Sequence, residues 1–203
     1  MTDPKAIGEL LRAIEAFSGQ PATLAALRLM PLTLLRPGEL RRASWSEVDL
    51  DGAIWRIPGE RMKMRASHLV PLSRQAIVVL RDLHLITGTR QLIFPGLRGA
   101  SLPMSENTIN AALRRLGYAK DEMTGHGFRA MAATRLNEMG QWNSDAIERQ
   151  LAHAESNKVR KAYTHAAQYL DERRTMLQVW ADYLDVLRDG GHAMRLPRAS
   201  AAA

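Results

Sequence analysis

TGHGFRAMAATRL, residues 124–136, sets His126 between two glycines and Arg129 three places later, then runs on as an alanine-rich helix toward Gly140. A helix start has free backbone N–H groups and the positive end of the macrodipole, so anions are held there. Residues three apart share a helix face. An imidazole and a guanidinium at this place suit a phosphate or a carboxylate. The motif is short, and the nature of the anion has to be read from the rest of the chain.

The chain has 203 residues, enough for one domain with a sizeable core, and its 46% hydrophobic and 24% charged content is ordinary for a globular protein. Its net charge of +7 favours a polyanionic partner, nucleic acid before membrane, although basic proteins without such a partner are common. There is no cysteine, which excludes disulfides and thiolate metal sites. The histidines lack the HExxH spacing of a metal ligand pair, and no Asp, Glu and His cluster suggests a hard-cation nuclease site. No apolar run reaches transmembrane length and no secretory leader is evident, so the chain reads as cytoplasmic.

Working outward, most of the chain carries helical periodicity. Ile7, Leu10, Leu11 and Ile14 mark an amphipathic helix over 5–17. Residues 22–35 form a long apolar stretch read as a buried helix with a kink or break at Pro31. Pro37 suits the first turn of a short helix. Ile54, Trp55 and Ile57 suggest a strand and His68 to Leu72 its partner, giving a small antiparallel sheet over about 53–72. A helix from Ser73 ends near Gly88, "LIFPGLRG" reads as a loop with a short extended piece, and a helix over 106–116 stops at Gly117. The opening motif's helix spans 127–139 and closes at Gly140, and Asn143 or Ser144 caps the next one. "VRKAYTHA" suggests another helix, a long one covers about 168–188, and the tail over 189–203 reads as disordered. The fold class is α+β, mostly helical, with one small sheet and no internal repeat.

Four separated pieces carry the chemistry: Arg36 in "LLRPGELRRASWSEVDL", Lys63 in "RMKMRASHLVPLS", His126 and Arg129 in "GHGFR", and His153 with Tyr163 in "RQLAHAESNKVRKAYTHA". In this order and context they resemble the tyrosine recombinase, or phage integrase, family, and within it the P4-type prophage and genomic-island branch. The resemblance runs from about residue 20 to about 187. It implies the tyrosine recombinase catalytic-domain fold over residues 1–188. It also implies cleavage of a DNA phosphodiester through a 3′-phosphotyrosine intermediate, with no metal, ATP or other cofactor.

On that resemblance Tyr163 is the nucleophile, ten residues past His153, with Tyr169 the runner-up. A phenol, of ordinary pKa about 10, needs help to lose its proton. Arg36 and Arg129 clamp the non-bridging oxygens of the scissile phosphate, a role that suits a forked and permanently charged guanidinium. Lys63 donates a proton to the leaving 5′-oxygen. His126 accepts the tyrosine's proton or hydrogen-bonds the phosphate, and His153 donates to a phosphate oxygen. Glu39 supports the clamp or the local fold. His68, His84, His165 and His192 read as structural. Arg61, Arg65, Arg114, Arg115, Lys120, Lys158, Arg160 and Lys161 are candidates for DNA-backbone contacts, or else members of a solvated face.

The implied partners are double-stranded DNA at attachment sites, other integrase subunits in a synaptic tetramer, a host DNA-bending protein and an excisionase, with no membrane. Family members carry arm-binding and core-binding domains ahead of the catalytic one, and this chain reads as lacking both, as an excised domain or a truncated product would. Two alternatives stand beside the recombinase: a DNA-binding fragment with weak or lost catalysis, and a type IB topoisomerase-like relaxing enzyme.

Overall fold

Prolines and short polar caps set the beginnings of the first helices. The computed structural model describes residues 1–62, 65–97, 99–152 and 169–191. Helix α1 (Pro4–Glu15) has proline in its first turn and Asp3 as cap, whose carboxylate accepts from the Ala6 N–H at 2.9 Å. Its stripe of Ile7, Leu10 and Ile14 is buried. Helix α2 (Pro21–Thr33) is apolar nearly all round and lies in the core. It runs through Pro31, so the break expected there falls two residues later, at Thr33. The Pro31 carbonyl accepts from the Trp180 indole at 2.8 Å. Leu34 then ends the helix in the left-handed region, at φ 58°.

Helix α3 (Pro37–Arg41) starts as the RPGEL motif predicts, with Pro37 in its first turn. The sheet expected over 53–72 is present. Strand β2 (Ile54–Ile57) pairs antiparallel with β3 (His68–Pro71), Ile54 opposite Pro71 and Ile57 opposite His68. A third strand, β1 (Val48–Asp49), adds to its other edge. It escapes sequence reading because two residues are too few to alternate. Trp55 is fully buried in β2, with its indole donating to Glu47 at 3.2 Å.

Helix α4 (Arg74–Thr87) is capped by Ser73 and ended by Gly88, as its sequence implies. The short extended piece expected in "LIFPGLRG" is β4 (Pro95–Gly96), and it pairs antiparallel with β5 (Gly99–Pro103) as a second small sheet beside the one expected. Helix α5 (Thr108–Arg115) is followed by Gly117 at φ 94°. Helix α6 (Gly127–Met139) has the bounds expected of it, and Gly140 closes it at φ 63°. Asn143 caps α7 (Ser144–Gln150) by accepting from the Asp145 N–H. The long C-terminal helix α8 (Leu170–Arg188) buries Met176, Leu177, Trp180 and Leu184. The helix expected over "VRKAYTHA" and the tail after Gly191 lie outside the described residues.

Helix α8 ties the ends of the domain together. A Cβ added to Gly8 would lie 2.3 Å from the Leu187 carbonyl oxygen, so α1 and α8 touch backbone to backbone there. Arg12 donates to the last carbonyls of α8, Leu187 at 3.1 Å and Arg188 at 2.9 Å. No described helix is long and apolar enough to cross a membrane. The C-termini of α2 and α7 and the starts of α3 and α6 converge on one place, joined by hydrogen bonds that span as many as 117 residues of sequence.

Candidate active site: two guanidinium groups on helix-end carbonyls

Arg36 is the last residue before α3. Its backbone N–H donates to Glu39 at 3.0 Å and its guanidinium to the other carboxylate oxygen at 2.7 Å. The three-residue spacing in RPGEL lets Glu39 grip Arg36 at both ends, and Glu39 is itself buried. The second guanidinium nitrogen donates to the Ala152 carbonyl at 2.9 Å. The support expected of Glu39 is thus a direct ion pair.

Arg129 is only 6% exposed, deeper than its place in the first turn of α6 suggests. One guanidinium nitrogen donates to the Leu34 carbonyl and the other to the Leu151 carbonyl. Its two anchors are the ends of α2 and α7, where carbonyls lack helical partners and the macrodipole is negative. Leu151 and Ala152 are consecutive, so Arg129 and Arg36 sit on neighbouring carbonyls. Burial, and then the nearby Arg36 charge, lower the Arg129 pKa to about 10, while Glu39 and Glu148 work the other way. It stays cationic at neutral pH. Leu34 and Ala152 both adopt positive φ, 58° and 47°. A left-handed conformation is costly for a residue with a Cβ, and here it occurs on two of the three carbonyls that hold the arginines.

His126 is exposed at the N-terminal boundary of α6. The opening expectation of a helix start with free N–H groups is met only in part. The Gly127 N–H is already taken by Thr124, through its carbonyl at 2.9 Å and its hydroxyl at 3.1 Å. Gly125 has a separate reason to be glycine: an added Cβ would lie 2.8 Å from Cγ of Pro37 and 3.3 Å from Ile109. The GHG motif therefore rests directly on RPGEL, which brings Arg36 and Arg129 together. Lys63, His153 and Tyr163 lie outside the described residues. Tyr169, half-buried at φ 57°, marks the start of α8.

The basic residues divide. Arg61 binds Glu47 and the Glu39 carbonyl, and so supports the residue that pairs with Arg36. Arg114 donates to the Met123 carbonyl. Arg115 donates to the Ser18 carbonyl at 3.2 Å and lies 5.3 Å from the centre of the Phe17 ring. All three are engaged with the protein itself. Arg65 and Lys120 are exposed. Lys158, Arg160 and Lys161 lie outside the described residues.

Next to the carbonyls that hold Arg129 is a polar network that sequence reasoning missed. Arg173, fully buried on α8, donates to Gln150 and to the Leu69 carbonyl, and Gln150 donates to the Thr33 carbonyl. The signal was present: residue 173 falls on the stripe of Met176, Leu177, Trp180 and Leu184, where a cation is out of place. His68 is buried beside this network. Burial first, then the Arg173 charge, lower its pKa to about 3, so it is neutral, in keeping with the structural reading of that residue.

Among solved structures the fold is similar to the integrase from mycobacterium phage Brujita, with a TM-score of 0.62 at 19% identity, over 84% of this chain and 55% of that one. It is also similar to the lambda integrase catalytic core, with a TM-score of 0.55 at 22% identity, over 74% of this chain and 91% of that one. The fold is that of the tyrosine recombinase catalytic cores. In sequence, the phage integrase family profile matches residues 1–169. The chain belongs to the phage integrase family. It is 50% identical over 194 residues to the integrase of Enterobacteria phage P4, covering 89% of this chain and 44% of that protein. It is 38% identical over 187 residues to the prophage integrase IntA of Escherichia coli K12, covering 92% of this chain and 45% of that protein. The chain thus spans about half the length of the curated relatives it matches.

Proposed function

We propose that the chain is the DNA-cleaving and DNA-joining part of a site-specific recombinase, with residues 1–188 as its catalytic domain. The observation that carries this reading is the pair of guanidinium groups, Arg36 and Arg129, fixed on consecutive carbonyls at the end of α7. Each of their Nη nitrogens carries a second N–H beside the one given to the protein, and two such neighbouring guanidinium groups match the non-bridging oxygens of a phosphodiester. Their value is greatest for the pentavalent transition state, which carries more negative charge than the ground state.

In this reading the Tyr163 oxygen attacks the scissile phosphorus. The bond to the 5′-oxygen breaks, a 3′-phosphotyrosine forms, and Lys63 supplies the proton to the leaving oxygen. His126 takes the phenol's proton or holds the phosphate, and His153 donates to a phosphate oxygen. A second strand's 5′-hydroxyl then reverses the step. One phosphate ester replaces another at each stage, so no ATP is consumed. The net charge of +7 and the integrase relatives support double-stranded DNA at attachment sites as substrate. Further subunits in a synaptic tetramer, a host DNA-bending protein and an excisionase complete the proposed assembly, acting on DNA in the bacterial cytoplasm.

The test is covalent trapping on nicked DNA carrying the element's own attachment site, with EDTA throughout and Tyr163→Phe in parallel. A denaturant-resistant protein–DNA band in the wild type that is absent from the variant is the expected result. A band that persists in Tyr163→Phe moves the nucleophile, with Tyr169 next in line.

A further inference from the structure

Arg173 stands in the first turn of α8 with none of its surface exposed. The charge that bears on it is a second cation, Arg149, which together with burial lowers its pKa to about 10. A buried guanidinium with no facing carboxylate among the described residues gains less than an ion pair would, and a cation is out of place on the apolar stripe around it. Its bonds run in one direction. Nε and Nη2 donate to the Gln150 side-chain oxygen at 3.1 and 2.8 Å, and Nη2 also reaches the Leu69 carbonyl. Nη1 has no partner among the described residues.

Gln150, 1% exposed, carries the connection onward by donating to the Thr33 carbonyl at 2.9 Å. Thr33 and Gln150 are the last residues of α2 and α7. The next carbonyl along each chain, Leu34 on one and Leu151 on the other, holds Arg129. A shift of Gln150 relative to Thr33 therefore changes the spacing of the two acceptors on which Arg129 rests.

We propose that Arg173, acting through Gln150, is a positioning residue for the phosphate clamp: it fixes the end of α7 against the end of α2 and so sets the orientation of the Arg129 guanidinium. This rests on the recombinase reading above. Its value lies in geometry, because a misplacement of about 1 Å at a reacting centre costs on the order of 100-fold in rate. Nη2 reaches both Gln150 and the Leu69 carbonyl, and Nε adds a second bond to the Gln150 oxygen, which fixes the orientation of the Gln150 amide.

The test compares wild type, Arg173→Met and Gln150→Glu in single-turnover cleavage of nicked DNA. Each is run with an ordinary scissile phosphate and with a methylphosphonate, which lacks one charged non-bridging oxygen and so depends less on the clamp. Wild-type covalent product is scored first, and its absence overturns the recombinase reading itself. Given that product, Arg173→Met is expected to fold, with a melting temperature lowered by the stranded Gln150 oxygen and Leu69 carbonyl, and to bind DNA within about threefold, yet to cleave the phosphate about 10- to 100-fold more slowly. Its deficit on the methylphosphonate is smaller by about tenfold. A structural role alone would lower both substrates equally, and that result, or a wild-type rate in the folded variant, overturns the proposal. If Arg173→Met does not fold, Gln150→Glu decides. It keeps the acceptor for Arg173 and gives it a full charge, but gives up the N–H to Thr33. Slow cleavage at an undiminished melting temperature supports the proposal, and a wild-type rate overturns it.

Discussion

Arg36 and Arg129 reach the same place from different depths, and that difference decides what a substitution does. Arg36 is tied to Glu39, a buried carboxylate that also offsets the repulsion between the two guanidinium groups. Replacing Glu39 with glutamine keeps the shape and removes the charge. Glu39→Gln is expected to lower the unfolding free energy by about 1–3 kcal/mol, read from the denaturant midpoint. An unchanged midpoint would mean that Glu39 holds nothing. His68 has a different signature. Its folded pKa lies near 3 and its ordinary value is 6.5, so the unfolded chain binds the extra proton first. Its contribution is complete above pH 6.5 and is lost as pH falls toward 3. Stability is therefore expected to fall across that window by at most about 1.4 kcal/mol per pH unit from this group, and His68→Leu is expected to remove that part of the slope. An identical slope in the variant would place the acid sensitivity elsewhere.

The helices were legible in the sequence because their ends are chemically marked. Pro37, Ser73, Asn143, Gly88 and Gly140 stand where helices start or stop. Left-handed Leu34 was not legible: nothing local requires a buried leucine to turn there, and the partner of its carbonyl, Arg129, lies 95 residues away in sequence. The Gln150–Arg173 connection was hidden for a similar reason, since it joins residues whose relation appears only when α7 and α8 pack. The structure brings the motif residues Arg36 and Arg129 onto neighbouring carbonyls, with His126 three residues before Arg129. The carbonyls that hold the arginines belong to the backbone, which sequence patterns do not display. Gly125 tests the contact between elements. Its approach to Pro37 leaves no room for a methyl group, so Gly125→Ala is expected to push the start of α6 away from α3 at a cost of about 1–3 kcal/mol. Full stability and full cleavage in that variant would show that the GHG motif need not rest on RPGEL.

Across the whole molecule the positive charge is not one undivided DNA-binding surface. Arg61 is absorbed in holding Glu47 and the Glu39 carbonyl, whereas Arg65 is exposed at the turn that follows. Arg65→Ala is expected to weaken DNA binding and to reduce the slope of log affinity against log salt by about one. Arg61→Ala is expected to leave that slope alone and to destabilise the fold through the stranded Glu47. The opposite pattern would reverse their roles. The fold as a whole serves to bring two helix C-termini to one point, with α8 packed behind them and the arginines in front. The most direct measurement of that claim is the single-turnover cleavage rate of Arg129→Lys on nicked attachment-site DNA, set beside its DNA affinity. Lysine keeps the charge but cannot bridge the Leu34 and Leu151 carbonyls while presenting a fork to phosphate. The account predicts a loss of about 100-fold or more in rate, with affinity changed by less than about tenfold. A rate within about threefold of wild type would contradict it, because charge alone would then suffice and the helix-end carbonyls would have no part in the chemistry.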